Sequence, residues 1–307
     1  MRWIKNGLIF RNDGLGGWRN NSALQPTPLV MKDRIRFFVG FRDEGGTSRI
    51  GYIDVDLERP DHILSISVTP VLDVGLPGSF DEFGVVPSAV IEHKNKIYLY
   101  YAGYQLGHNV RFSVLSGLAI SEDGGNNFKR HSTVPVFERT DSELLFRVPH
   151  SVMYEQGRFR FWYGGGSRFE NGKTKTLPVY DVRYLESDDG ICIPKSGKII
   201  LKTLDDEYRI GRPYVIKVKE KYHMFFGYST EKQPYQLGYA VSTDGISWIR
   251  NDEKLGLKLS KTGWDSEMMA YPSIVATRSK NYLFYNGNNY GHDGFGYATL
   301  DGNIDAL

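Results

Sequence analysis

The 307-residue chain is predicted to be all-β, a five-bladed β-propeller with four antiparallel strands per blade, on three observations. Prolines Pro26, Pro87, Pro149, Pro213 and Pro272 recur at intervals of 59 to 64 residues. Each opens an apolar strand that a polar turn joins to an aromatic strand stopping near a glycine. The two ends of the chain are also complementary. Trp3-Ile4-Lys5-Asn6 echoes Trp248-Ile249-Arg250-Asn251, while the fifth unit lacks a fourth strand. A first strand that completes the last unit closes the ring and leaves only short, protected edges. One domain spanning 1–307 follows.

The elements repeat in order. The aromatic strands are expected at Ile35–Val39, Ile97–Tyr101, Phe159–Tyr163, Tyr222–Phe226 and Tyr282–Tyr285, and they stop near Gly40, Gly103, Gly164, Gly227 and Gly287. Third strands follow at Arg49–Val55, Ser116–Ser121, Asp181–Ser187, Gln236–Ser242 and Gly294–Leu300. The Asp-Gly pairs at Asp123, Asp189 and Asp244 read as hairpin turns, with the aspartates as turn formers. Fourth strands are expected at Ile63–Val71, Phe128–Phe137, Lys198–Lys202 and Trp248–Arg250, and the completing strand at Trp3–Phe10.

Composition narrows the function. Thirty-eight basic against 36 acidic residues give a net charge of +2, which argues against nucleic acid as the partner. The single cysteine, Cys192, excludes an internal disulfide and a cysteine-rich metal site. No apolar run reaches the length of a membrane span. Residues 1–11 lack a signal-peptide core and cleavage site, which points to the cytoplasm. No metal-ligand spacing, phosphate loop, nucleophile elbow or dinucleotide fingerprint is present, so no cofactor is expected.

In a propeller the loops leading into the first strands converge at one mouth. Those loops carry Asp81 and Glu82, Glu143 and Arg147, Arg209 and Arg212, and Glu267 and Tyr271. Arg42 and Asp43 follow the aromatic strand of unit one, His150 follows Pro149, and Asn288 and His292 lie in the polar loop of unit five. Acids mixed with arginines and aromatics suit a sugar. Paired carboxylates serve glycosidic cleavage, arginine binds oxyanions and hydroxyls, and aromatic faces stack on sugar rings. Read singly, each of these acids is equally a solvated loop residue; their common end of the ring argues for a site.

The proline-initiated strands, the Tyr/Phe-rich second strands and the Ser-x-Asp-Gly-x-x-Trp turn at Ser242–Trp248 carry a resemblance. The whole chain resembles the five-bladed propeller glycosidases, glycoside hydrolase families 43, 32 and 68, with the mannoside phosphorylases of family 130 nearby. GRPYVIKVKEKYHMFFGYS and WDSEMMAYPSI…YNGNNYGHDGFGYA resemble most the glycosidase-like proteins of surface-polysaccharide assembly. The resemblance implies an enzyme that cleaves or transfers a glycosyl group. Glu143 would then be the general acid and Asp81 or Glu82 the base or nucleophile, with Asp43 or Glu267 as alternative. Arg147 and Arg212 would orient the substrate, and Tyr271 and the Asn288–His292 loop would line the pocket. The chain departs from families 43 and 32 in blade one, where ALQPTPLV carries Gln25 instead of an aspartate. That departure keeps two other readings open. One is a non-catalytic sugar-binding propeller. The other is an enzyme acting on sugar phosphates or sugar nucleotides, with Arg147, Arg209 and Arg212 as phosphate clamp.

Overall fold

A computed structural model describes residues 1–108, 110, 112–173, 176–302 and 304. The chain opens with β1 (Trp3–Arg11). Unit one is β2 (Asn21–Val30), β3 (Arg34–Arg42), β4 (Ser48–Asp56) and β5 (Ile63–Ile66). Unit two is β6 (Val85–His93), β7 (Lys96–Leu106), β8 (Phe112–Ser121) and β9 (Lys129–Arg130). Unit three is β10 (Phe146–Glu155), β11 (Arg158–Asn171), β12 (Thr176–Ser187) and β13 (Lys198–Leu201). Unit four is β14 (Glu207–Val218), β15 (Lys221–Thr230), β16 (Gln236–Ser242) and β17 (Ile249–Arg250). Unit five is β18 (Ala270–Ala276), β19 (Asn281–Asn286) and β20 (Gly294–Leu300).

The chain is all-β, and antiparallel pairing within units dominates. Units one and two each form a four-stranded sheet. In unit five the sheet order is β1-β20-β19-β18, with Trp3 opposite Leu300 and Arg11 opposite Gly294. Units three and four share one eight-stranded sheet through a single parallel pair, Tyr180 with Arg209, a junction the repeat pattern does not announce. The fourth strands are shorter than expected. Only Lys129–Arg130 forms a strand in the stretch read as Phe128–Phe137. Pro135 lies within that stretch and has no N–H for the ladder. Pairing returns at Phe137, opposite Ser116.

The apolar residues alternate along each strand and fill the space between neighbouring units. Phe37, Phe41 and Ile53 of unit one pack with Phe284 and Phe295 of unit five. Phe38 and Ile50 of unit one pack with Leu99 and Tyr101 of unit two. Further cores join units two and three, three and four, and four and five. The first strands touch in succession, β2 with β6, β6 with β10, β10 with β14, β14 with β18, and β18 with β2. Their meeting place brings together residues far apart in sequence.

The Asp-Gly turns form as expected. Asp244 Oδ1 accepts the amides of Ile246 and Ser247, and Asp189 Oδ1 those of Ile191 and Cys192. Gly190 and Gly245 take the left-handed backbone (φ +72° and +75°) that a side chain would strain. The Ile191 amide above all, against slight opposition from burial, holds the Asp189 carboxyl down at about 2. The Ser247 amide likewise holds the Asp244 carboxyl well below its ordinary value. At Asp123 the slight burial is outweighed by Asn127, again to about 2. All three folded values lie below the ordinary 3.8. Their contribution is therefore complete above pH 4 and is lost as pH falls toward 2. Urea midpoints of the wild type should fall between pH 5 and pH 2.5. A triple Asn variant at these positions should lose part of that slope.

Candidate functional site

Each first strand carries a register shift beside its proline. The shifts lie between Leu24 and Thr27, Pro87 and Ala89, Pro149 and Ser151, Gly211 and Tyr214, and Ala270 and Ser273. A bulge re-aims a side chain out of the alternating pattern. In units one, four and five the residue before the proline sits in the left-handed region: Gln25 at φ 54°, Arg212 at 54° and Tyr271 at 57°. That conformation is unfavourable for a side-chain-bearing residue, more so before proline, at a cost on the order of 1–3 kcal/mol each. Strain of this kind at three equivalent positions marks the place where the first strands meet.

Arg212 is the centre of this place, 4% exposed. Its Nη1 donates to Gln25 Oε1 at 2.6 Å and lies 3.3 Å from His150 Nδ1 and from the carbonyls of Pro87 and Ser88. Its Nη2 donates to Thr27 Oγ1 at 2.9 Å and to the Gln25 carbonyl at 3.3 Å. Units one, two and three thus converge on a side chain of unit four, and Tyr271 of unit five places its ring 6.0 Å away. Arginine has only donors, so His150 Nδ1 accepts and the imidazole is neutral. Burial, with Arg212 adding to it, pushes the His150 pKa well below its ordinary value. Burial also pushes Arg212 down, to about 10, and the groups that oppose this are Tyr271, Tyr214 and Tyr104, none of them a carboxylate. Asn286 holds Gln25 in register by accepting its amide at 2.8 Å and donating to the carbonyls of Ala23 and Gly294.

Aromatic side chains extend the cluster. Tyr235, Tyr271 and Tyr290 pack ring against ring at 6.0 to 6.4 Å. The Tyr180 hydroxyl meets that of Tyr235, and the Tyr180 ring lies where a Cβ on Gly211 would be, 2.6 Å away, so only glycine fits there. The Arg209 guanidinium lies 4.0 Å from the centre of the Tyr235 ring and donates to Ser229 and Tyr290 hydroxyls. The surrounding tyrosines outweigh burial and hold Arg209 above its ordinary pKa. Arg42 acts on Tyr104, the tyrosine that also acts on Arg212. Arg42, His150, Arg209, Arg212 and Tyr271, all expected from the sequence, are therefore brought together. Gln25, Tyr104, Tyr180, Tyr235 and Tyr290 were not among the expected binding residues. The signal for Gln25 is its place directly before Pro26, matching Arg212 before Pro213 and Tyr271 before Pro272.

The expected carboxylates lie elsewhere. Asp81 and Glu143 are buried, as is Asp265 of unit five, and each accepts the hydroxyl of the tyrosine 20 residues later: Tyr101 at 3.0 Å, Tyr163 at 2.8 Å and Tyr285 at 2.9 Å. Each also meets a cation. Arg130 reaches Asp81 at 2.8 Å, and Lys5 reaches Asp265 at 2.5 Å. Arg147 and Arg183 reach Glu143 at 2.6 and 3.2 Å. In units one and four the residue in the tyrosine's place is Val39 or Phe226, which has no hydroxyl. Trp18 packs against Phe41, and the Arg250 guanidinium lies over Phe226. The acid is an anchor that pins the leading loop to its own sheet, through the second-strand tyrosine in three units and through the fourth-strand Arg250 alone at Glu207 of unit four. Tyr101→Phe should cost about 1–3 kcal/mol in urea unfolding, because Asp81 then keeps its burial with one donor fewer.

The remaining expected residues have other partners. Arg147 is bound to Glu143 and the Pro194 carbonyl, away from the arginine cluster. Glu82 accepts from the Gly78 amide and from Gln105. Asp43 pairs with Arg49 in an open cleft of about 610 Å³ lined by Trp18, Glu44 and Asp73. The Asn288 amide stitches its own loop, accepting from Glu267 and Met268 and donating to Gly263. His292 is more than half exposed and pairs with Asp293 at 3.0 Å. Glu267 is exposed. Among the described residues no helix is long and apolar enough to cross a membrane.

No protein-family model matches the chain. Over 303 residues it is 33% identical to uncharacterized protein Rv1502 of Mycobacterium tuberculosis strain H37Rv, covering 98% of this chain and all of the relative. The chain belongs to the Rv1502 family. Protein MT1551 of M. tuberculosis strain CDC 1551 is 32% identical over the same share. Solved structures match over nearly the whole chain. A thermostable family-43 glycoside hydrolase gives a TM-score of 0.71 at 18% identity, covering 96% of this chain and 94% of that one. A glycosyl hydrolase from Bacteroides ovatus gives 0.73 at 17%, covering 98% and 93%. A structure from the GH130 family of mannoside phosphorylases, which contains glycoside hydrolases targeting β-1,2 mannosidic linkages in Candida mannan, gives 0.69 at 14%, covering 97% and 93%. At these identities the likeness establishes the fold, and the site must speak for the chemistry.

Proposed function

We propose that the chain is a carbohydrate-active enzyme on a single five-bladed propeller domain, its saccharide held where the five first strands meet. The successive contacts of β2, β6, β10, β14 and β18, the cores between neighbouring units and the pairing of β1 with β20 support the ring. One observation carries the pocket. Gln25, Arg212 and Tyr271 occupy the same strained position before three different prolines and converge. Tyrosines around them supply flat apolar faces for a sugar ring and hydroxyls for its polar edge. The reaction class is cleavage or transfer of a glycosyl group, the class found among glycoside hydrolases and phosphorylases of this fold. We assign Asp81 and Glu143 to holding their loops. Proton transfer by Glu82 or Glu267, the less buried acids of the leading loops, is part of the proposal on the resemblance alone. A place in surface-polysaccharide metabolism is part of the proposal on the resemblance alone.

One observation favours a second reading. No carboxylate is among the groups acting on Arg212, and an amide stands at Gln25 where the glycosidase families carry an acid. A pocket built this way binds sugar without turning it over. A thermal-shift screen against monosaccharides, sugar phosphates, sugar nucleotides and short oligosaccharides, followed by overnight incubation and mass spectrometry of each hit, separates the two. Consumption of a stabilising ligand establishes the enzyme. A stabilising ligand that survives intact establishes the binding propeller. No shift with any saccharide contradicts both.

A further inference from the structure

We infer that the pocket takes an anionic saccharide, one bearing a phosphate or carboxylate group, through Arg212, Arg209 and Arg42. This rests on the reading of the pocket as a carbohydrate site and names the class of sugar it accepts.

The argument is one of charge. Elsewhere in the fold a buried arginine meets a carboxylate: Arg36 with Asp54 at 2.7 Å, Arg147 with Glu143 at 2.6 Å, Arg183 with Asp181 at 2.6 Å. Among the described residues Arg42, Arg209 and Arg212 form no ion pair. A cation buried without a counter-charge is destabilising. Arg212 is buried in this way, and the partly exposed Arg209 and Arg42 add their charge around the same tyrosines. The donors are also incompletely used, since the Nε atoms of Arg212 and Arg42 are buried with no acceptor. Guanidinium donors without a carboxylate are built to receive an oxyanion, and phosphate and carboxylate both match their fork.

The tyrosines point the same way. Burial raises the pKa of Tyr271, Tyr104 and Tyr214, so their hydroxyls stay protonated and available as donors. Gln25 sharpens the case. Its Oε1 already accepts from Arg212 at 2.6 Å, so a glutamate there would be nearly isosteric and would neutralise Arg212 from within. The amide fills the same space and leaves the charge for a ligand.

Calorimetric titration of the full chain tests this with glucose, mannose and galactose, their 1- and 6-phosphates, the matching uronic acids, and inorganic phosphate alone. Sugar phosphates and uronic acids separate the two sources of charge. At least one charged sugar should bind tenfold or more tightly than its neutral parent, as expected of hydrogen bonds to a charged group. Gln25→Glu should weaken that binding at least tenfold while raising the melting temperature. Equal binding of neutral and charged sugars by wild type and Gln25→Glu would overturn the inference and leave the carbohydrate site standing. Inorganic phosphate binding as tightly as every sugar phosphate would overturn it too, since the anion would then need no sugar. If no saccharide binds at all, the carbohydrate reading itself falls, and this inference with it.

Discussion

Glu143→Gln should destabilise the protein by about 3–5 kcal/mol, the range for breaking a buried ion pair by removing one partner. Glu143 is fully buried, and its oxygens receive Arg147, Arg183 and the Tyr163 hydroxyl. A glutamine keeps the shape and some of the hydrogen bonding. It leaves two guanidinium groups, both nearly buried, with their nearest carboxylate charge reduced to Asp181. Urea unfolding reads the loss directly. The result separates two roles that the sequence leaves open. A general acid replaced by its amide loses turnover and keeps its melting temperature. A loop anchor loses stability. An unchanged melting temperature in Glu143→Gln would return this residue to the catalytic candidates.

Arg212→Met should abolish saccharide binding, at least a hundredfold in affinity, while the chain stays folded. The size follows from removing a charged donor that serves two hydrogen-bonding nitrogens, each hydrogen bond to a charge being worth about 1.5–3 kcal/mol. Folding survives because two effects oppose each other. The substitution removes a buried charge that no carboxylate balances. It also leaves Gln25 Oε1 and Thr27 Oγ1 without their donor. Calorimetry measures the binding and a thermal melt the fold. Full retention of binding would show that the ligand sits elsewhere.

Much of the fold was legible in the sequence because repetition is visible in one dimension. The five prolines mark the five first strands, and each lies beside the register shift of its strand. The echo of Trp248-Ile249 in Trp3-Ile4 correctly placed β1 beside β20. The Ser-x-Asp-Gly turns needed only local chemistry, and they form as read. The site was harder to read, because a sequence does not say which way a side chain faces. Asp81 and Glu143 each stand six residues before their proline, and their recurrence suggests a common mouth. Their orientation is set by tyrosines 20 residues on, a correlation present in the sequence but meaningful only once strands are paired. Unit four keeps the acid without the tyrosine, since Glu207 is held by Arg250 where Phe226 stands in the tyrosine's place. Asn288 illustrates the same limit, as its amide serves the backbone of its own loop. The arginines fared better, because Arg212 directly precedes a proline whose strand had been placed.

The most direct measurement is a crystal structure of the protein with the tightest-binding sugar from the titrations. The account expects the ligand among Arg42, Arg209, Arg212, His150 and Tyr271, with its oxyanion on the guanidinium groups and its ring against a tyrosine. A ligand bound instead in the open cleft beside Trp18 and Asp43, with the arginine cluster untouched, would contradict it.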